Sequence, residues 1–167
     1  QGDTLIGTMK TDKNGVAVSD KLEKGQYMVK EHENPVGYVA ELVTLEALVK
    51  PDETTVLTAV NTPIQGKVRI EKTDALTGET LAGAEFTITD QEGNEVAMLT
   101  TDENGVAESP LLTYGTYRIM ETKVPEHYVD TGYIVDVTID IHEKTYVLPV
   151  SNEPAKGWIR LTKTDRM

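Results

Sequence analysis

The chain has 167 residues, enough for one large domain or two small ones, and a net charge of −12 at pH 7. This charge argues against nucleic acid and anionic membrane surfaces as partners, because both are themselves negative. The absence of cysteine excludes disulfides, cysteine-based metal sites and cysteine nucleophiles. Thr and Val are frequent, aromatic residues make up 5%, and no apolar run is long enough for a membrane span. This composition predicts an all-β protein.

A repeat of about 90 residues organises the sequence. Asp-x-Asn-Gly-Val-Ala occurs at 12–17 and 102–107, and Leu-x-x-Gly-x-Tyr occurs at 22–27 and 112–117. The segment 61–74 likewise resembles 152–165. We therefore expect a first domain at 1–65 that lacks its first strands, a complete domain at 66–154, and the first strand of a following domain at 155–167. Truncation of a longer tandem array is the simplest explanation for this pattern, and Trp158 is expected to pack at a domain joint.

The complete copy has the strand pattern of a β-sandwich. Alternating hydrophobicity and Gly-containing turns predict strands at 67–73, 84–90, 95–101, 104–109, 115–123, 133–141 and 144–151. Short strands at this spacing, without a long helical pattern, are typical of a sandwich.

Three polar residues of this copy fall on the inward side of three different strands. Side chains alternate between the faces of a strand, so Lys72 continues the apolar row of Val68 and Ile70. Glu121 and Asn152 end the apolar rows of their own strands in the same way. Since an unpaired buried polar group is costly, we expect the three to meet. The simplest interpretation is a buried Lys–Glu ion pair hydrogen-bonded to the Asn, or strand ends that reach water.

A chemical interpretation is also open. In a dry site the lysine loses its proton and the glutamate gains one, because desolvation disfavours both charges. A neutral amine is a nucleophile, and a protonated carboxyl can polarise the amide carbonyl and shuttle protons. Attack of Lys72 on the Asn152 carboxamide then expels ammonia and leaves an isopeptide bond. Fixed neighbours supply the effective concentration that this slow amide exchange requires.

An ordered series of motifs runs through the same copy. It comprises Lys-x-Asp at 72–74, Leu-Ala-Gly-Ala-Glu-Phe at 81–86, Gly115 and Tyr117 before Glu121 and Pro125, and the late Asn152. In order and spacing this series resembles the Cna-B or SpaA-type domains of Gram-positive surface proteins and pilins. The resemblance implies tandem reverse-immunoglobulin (transthyretin-like) β-sandwiches, secretion, cell-wall attachment and a structural role as stalk or adhesin. It also implies a Lys72–Asn152 cross-link with Glu121 as the catalytic acid.

The partial copies carry parts of the same set. Glu31 and Asn61 match the acid and the amide in the first copy, and Lys163 matches the lysine in the third. Donation of the tail strand to a second copy of the chain, joining Lys163 to Asn61, would give head-to-tail polymers. However, the first copy also lacks a counterpart of 77–91, so docking would leave a gap in its sheet. Simple truncation is the favoured explanation, because exposed sheet edges invite strand pairing but do not prove it.

One turn departs from the family pattern. The first copy keeps Pro-x-Gly-Tyr at 35–38, whereas the second has Pro-Glu-His-Tyr at 125–128.

Other chemistry finds no support in the sequence. The histidines lack the spacing of metal ligands, and no phosphate loop, cofactor motif or Ser–His–Asp set is visible, so we expect no metal, no cofactor and no turnover enzyme. The alternative to a stalk is an adhesin module whose loops bind a host extracellular-matrix protein or a glycan.

Overall fold

A computed structural model describes residues 4–165, in which β-strand is the only extended regular secondary structure. The strands are β1 (Gly25–Lys30), β2 (Thr44–Val49), β3 (Gln65–Asp74), β4 (Glu85–Thr89), β5 (Glu95–Thr100), β6 (Val106–Glu108), β7 (Leu112–Thr113), β8 (Gly115–Lys123), β9 (Ile134–Ile139) and β10 (Thr145–Asn152). No helix in this range is a candidate membrane span. The chain divides into two compact units: unit 1 holds residues 1–34 and 40–61, and unit 2 holds 35–39 and the chain from 62 onward.

Unit 2 consists of two sheets that share one hydrophobic core. One sheet has the order β10–β3–β6, with β7 also paired to β3, and the other has the order β5–β4–β8–β9. The β3–β10 pair is parallel, and the other pairs are antiparallel. Core residues come from both sheets, among them Val68, Ile70, Phe86, Ile119 and Val150. All seven strands predicted for this copy are present, and only β7, which is too short for a periodic signal, was not predicted.

Strand alternation carries polar side chains into this core. Val68, Ile70 and Lys72 on β3 are fully buried, whereas Glu71 between them is exposed. On β8, Glu121 follows the buried Ile119 on the same face. The expected inward rows are therefore observed.

A β-bulge lies directly beside Glu121. On β4, Glu85 pairs with Lys123 and Phe86 pairs with Glu121, so Thr122 is an extra residue on β8. Bulges bend a strand and re-aim neighbouring side chains. Here the bulge ends the regular pairing of β8 just after the residue that points into the core.

Unit 1 is a two-stranded sheet and not a sandwich. β1 and β2 pair antiparallel, and the described residues before β1, as well as 50–61, contain no strand. Ala47 is the one buried hydrophobic residue among those described in this unit. The segments that correspond to β5 and β10 have no neighbouring strand among the described residues. An isolated hairpin cannot form a core alone. Of the expected tandem sandwiches, one is thus seen.

The tail after β10 forms no regular secondary structure beyond the bridge of Pro154 to Tyr128. Residues 157–165 form no strand, and Trp158, Ile159 and Leu161 are 97%, 100% and 90% exposed. Trp158 does not pack against the described residues, and its expected place at a domain joint stays a prediction. The predicted division at 1–65, 66–154 and 155–167 stays a prediction.

Candidate cross-linking site

The structure brings Lys72, Glu121 and Asn152 together between the two sheets of unit 2. Lys72 lies near the end of β3 and Asn152 is the last residue of β10. The parallel register places Val150 beside Lys72 and Asn152 beside Asp74, so the lysine and the asparagine lie at the same end of one sheet. Both point to the same face because they stand an even number of positions apart in this register. Glu121 reaches them from β8 in the opposite sheet.

Glu121 contacts both the amine and the amide. Lys72 Nζ lies 3.2 Å from Glu121 Oε1. Asn152 Nδ2 donates hydrogen bonds to Glu121 Oε2 at 3.2 Å and to the carbonyl oxygen of Val129 at 3.2 Å. In this site three buried atoms have no partner with hydrogen-bond geometry among the described residues: Lys72 Nζ, Glu121 Oε1 and Asn152 Oδ1. Buried polar atoms are normally satisfied, so this arrangement is unusual for an inert ion pair.

The site excludes water. The side chains of Lys72 and Glu121 are 0% exposed, and Asn152 is fully buried as well. Phe86 lies opposite Glu121 on β4, and the ring of Tyr133 packs edge-on against it with centroids 6.5 Å apart. Phe86 and Tyr133 therefore give Glu121 apolar neighbours beside Lys72 and Asn152.

Burial shifts the pKa of Lys72 and that of the neighbouring Tyr133. It lowers the pKa of Lys72 below the usual 10.5, and the nearby Glu121 opposes this shift only in part. Burial, with a smaller effect of the Glu121 charge, raises the pKa of Tyr133 above 10.0. The Lys72 amine is therefore closer to its neutral, nucleophilic form than the amine of a surface lysine.

A supporting network that sequence reasoning missed surrounds the end of β3. The nearly buried Asp74 accepts hydrogen bonds from the backbone N–H groups of Leu76 and Thr77, at 2.7 and 3.0 Å, and from the Tyr128 hydroxyl at 2.8 Å. The two backbone bonds, followed by the tyrosine, lower the pKa of Asp74. The Lys-x-Asp motif at 72–74 pointed to Asp74 in the sequence, but the motif did not indicate which residues the aspartate binds.

The first copy holds the acid and the amide in the same relation. Asn61 Nδ2 donates to Glu31 Oε1 at 3.2 Å, and the backbone N–H of Val43 donates to Glu31 Oε2 at 3.4 Å. Both side chains lie in half-buried residues, and Asn61 Oδ1 has no hydrogen-bond partner among the residues described. Lys163 is exposed in the tail. The Glu31–Asn61 pair therefore reproduces two of the three groups of the complete site.

The two-sheet architecture of unit 2, with a lysine, a glutamate and an asparagine enclosed between its sheets, defines a prealbumin-like β-sandwich. Residues 1–63 and 66–154 both match the SpaA family of prealbumin-like fold domains, so the chain belongs to that family. This confirms the resemblance seen in the sequence. A search of curated proteins found no significant match.

Solved structures with the same fold come from Gram-positive bacteria. The chain is 35% identical to the Bacillus anthracis TIE protein, with a TM-score of 0.80 over 87% of this chain and 28% of that one. Its identity to GBS52, the minor pilin of Streptococcus agalactiae, is 21% with a TM-score of 0.51. That match covers 93% of this chain and 71% of the pilin. Its identity to BcpA, the major pilin subunit of Bacillus cereus, is 24% with a TM-score of 0.50. That match covers 83% of this chain and 42% of the subunit. The two pilins support the fold alone, and the chain spans little more than a quarter of the TIE protein.

Proposed function

We propose that the chain is a structural segment of a Gram-positive cell-surface protein, a stalk or pilin shaft, in which unit 2 cross-links itself through Lys72 and Asn152. The observation that carries this proposal is the buried contact of Glu121 with both the amine and the amide. Family membership supports the surface location and the structural role. Other subunits of the same fibre are the partners that such a role requires.

The proposed reaction is a single amide exchange. In the reactive form the shared proton lies on Glu121, and Lys72 is a neutral amine. The lysine Nζ attacks Cγ of Asn152, while the glutamic acid donates its proton toward Oδ1. Collapse of the tetrahedral intermediate breaks the bond from Cγ to Nδ2, and Glu121 carries a lysine proton to the departing nitrogen. One amine and one primary amide thus give one secondary amide and one ammonia, and the glutamate is regenerated.

The bond ties the ends of the domain together. Lys72 lies on the first strand of unit 2 and Asn152 on its last strand, so the tie closes a loop of 80 residues. By analogy with disulfides, such a closure stabilises a domain by about 4–5 kcal/mol. An amide also resists reductants, and this property suits a chain that has no cysteine.

The same chemistry is proposed for the Glu31–Asn61 pair, with a lysine strand as the missing component. The tail 157–165 repeats the sequence of β3, and its apolar side chains are almost fully exposed. If the register of β3 and β10 is transferred by one repeat, Lys163 of a second copy lies beside Ala59, two residues before Asn61. Concentrated protein should then form covalent dimers, and Lys163→Ala should abolish them. Wild-type protein that stays monomeric under denaturing conditions would rule out this donation.

Intact mass tests the reaction in unit 2. Wild-type protein should be one ammonia lighter than its sequence, and Glu121→Ala should have the full mass. The exposed Glu108, which pairs with Arg69, provides the matched control, because Glu108→Ala should lose ammonia like the wild type. Since Gln1 at the amino terminus can also lose ammonia by cyclising, proteolysis must yield a branched peptide that contains both Lys72 and Asn152. Identical peptide maps for wild type and Glu121→Ala would refute the proposed bond.

The alternative adhesin role makes a different prediction. Loops that recognise a host protein or glycan would give saturable binding in a screen against matrix proteins and glycans. A stalk segment binds none of them.

A further inference from the structure

The loop between β8 and β9, residues 124–133, contacts the ends of β3 and β10, the strands that carry Lys72 and Asn152. The backbone N–H of Val129 donates to the carbonyl of Glu153 at 2.9 Å, and its own carbonyl accepts the Asn152 amide. Its neighbour Tyr128 donates its hydroxyl to Asp74 Oδ2 at 2.8 Å. Two adjacent loop residues therefore join the end of the lysine strand to the end of the asparagine strand.

Asp74 is a fixed anchor for this loop. Its Oδ1 is held by two backbone N–H groups of the following turn, which leaves Oδ2 for the tyrosine. The next residue, Ala75, donates its backbone N–H to the carbonyl of Asn152 at 2.9 Å. Asp74 is only 7% exposed, and its carboxylate cannot rotate away from the tyrosine without breaking these bonds.

The Val129 carbonyl decides the orientation of the Asn152 carboxamide. A backbone carbonyl only accepts hydrogen bonds, so the NH₂ end of the amide must face it and the Oδ1 end must not. The second amide proton is directed to Glu121 Oε2. Both N–H groups of Asn152 Nδ2 are thus donated, and Oδ1 accepts no hydrogen bond from the described residues. Oδ1 is therefore available to accept a proton from Glu121 during the proposed reaction. The leaving nitrogen also keeps an acceptor as it departs as ammonia.

We propose that Tyr128 is a positioning residue for the Lys72–Asn152 reaction: its hydrogen bond to Asp74 holds the Val129 carbonyl against the leaving nitrogen of Asn152. This inference rests on the proposed function of the site. Tyr128 does not touch the reacting atoms, and acts only through the loop and through Asp74. Geometry of this kind supplies much of the rate advantage of an intramolecular reaction.

The rate of bond formation after refolding from denaturant tests the inference. In Tyr128→Phe the branched peptide should form about tenfold more slowly, which corresponds to the loss of one hydrogen bond to a charged acceptor. The matched control is Tyr146→Phe, because the hydroxyl of Tyr146 donates to Asp140 at 2.6 Å, outside the loop and the reacting site. This variant loses the same type of bond and should react at the wild-type rate. Equal rates for Tyr128→Phe and wild type would overturn the inference.

A second measurement separates positioning from the reaction itself. In Lys72→Met no bond can form, and the side-chain NH₂ protons of Asn152 should exchange slowly with solvent in NMR spectra. Adding Tyr128→Phe should accelerate this exchange at least about tenfold if the loop is released. If wild-type protein forms no bond at all, the proposed function fails, and this exchange experiment alone decides the inference. Unchanged exchange in the double variant would then overturn it.

Discussion

Lys72 and Gly105 are in direct backbone contact at the centre of the site. The N–H of Lys72 donates to the carbonyl of Gly105 at 2.7 Å, and the Lys72 carbonyl occupies the space that a Cβ at Gly105 would need. Gly105 also has a φ of 71°, a conformation that side chains of L-residues rarely adopt. The Asn-Gly turn of the repeat therefore fixes the backbone of Lys72.

The first prediction concerns this contact. Gly105→Ala should lower the free energy of unfolding by about 2–5 kcal/mol, because positive φ and a backbone clash act together. Gly78→Ala is the matched control, since Gly78 has a φ of 75° but open space around its Cα. It should lose only about 1–2 kcal/mol. Denaturant unfolding measures both variants, and equal losses would show that the clash is absent.

The second prediction concerns the turn where the two copies differ in sequence. Gly37 in the first copy has a φ of 90°, and His127 at the same place in the second has a φ of 72°. His127→Gly should relieve about 1–2 kcal/mol of backbone strain in the folded state. The greater freedom of glycine in the unfolded chain should offset about 0.5–1 kcal/mol of this gain in the free energy of unfolding. A small net gain in unfolding free energy is therefore expected. The control is Glu126→Gly, at the preceding position, which has no positive φ and should lose stability. A loss of stability in both variants would show that His127 is not strained.

The third prediction is a pH profile of bond formation. The reactive form of the Lys72–Glu121 pair holds one shared proton, so the rate should fall as the pair loses that proton at alkaline pH. Because burial lowers the pKa of Lys72, the midpoint of this fall should lie below 10.5. Refolding at a series of pH values, followed by quenching and peptide mapping, gives the profile. A midpoint at or above 10.5 would indicate a solvated lysine.

The fourth prediction is mechanical. When the full chain is stretched by its ends, the bond should keep residues 73–151 from extending, because force passes directly from β3 to β10. In Glu121→Gln these residues should extend by roughly 260–290 Å. Force spectroscopy measures this length, with Glu108→Gln as the control that should behave like wild type. An extension of this size in wild-type protein would show that no bond is present.

Strand periodicity was sufficient to place the three groups of the site on inward faces. Lys72 follows Val68 and Ile70 at even spacing, and this alternation is a local property that any neighbouring strand preserves. The all-β class, the strands of unit 2 and the repeat follow from patterns of the same local kind. The expected domain at 1–65, which lacks its first strands, stays a prediction, because a strand pattern does not provide the neighbouring strands that a sheet needs.

The sequence by itself determined which residues face inward and how the copies correspond, since both depend on spacing along the chain. Only the tertiary structure decided that β3 and β10 run parallel, that a bulge follows Glu121, and that Tyr128 reaches Asp74 from a position 54 residues away. These contacts join segments with no local relation, and they exist because two sheets must pack their faces against one another.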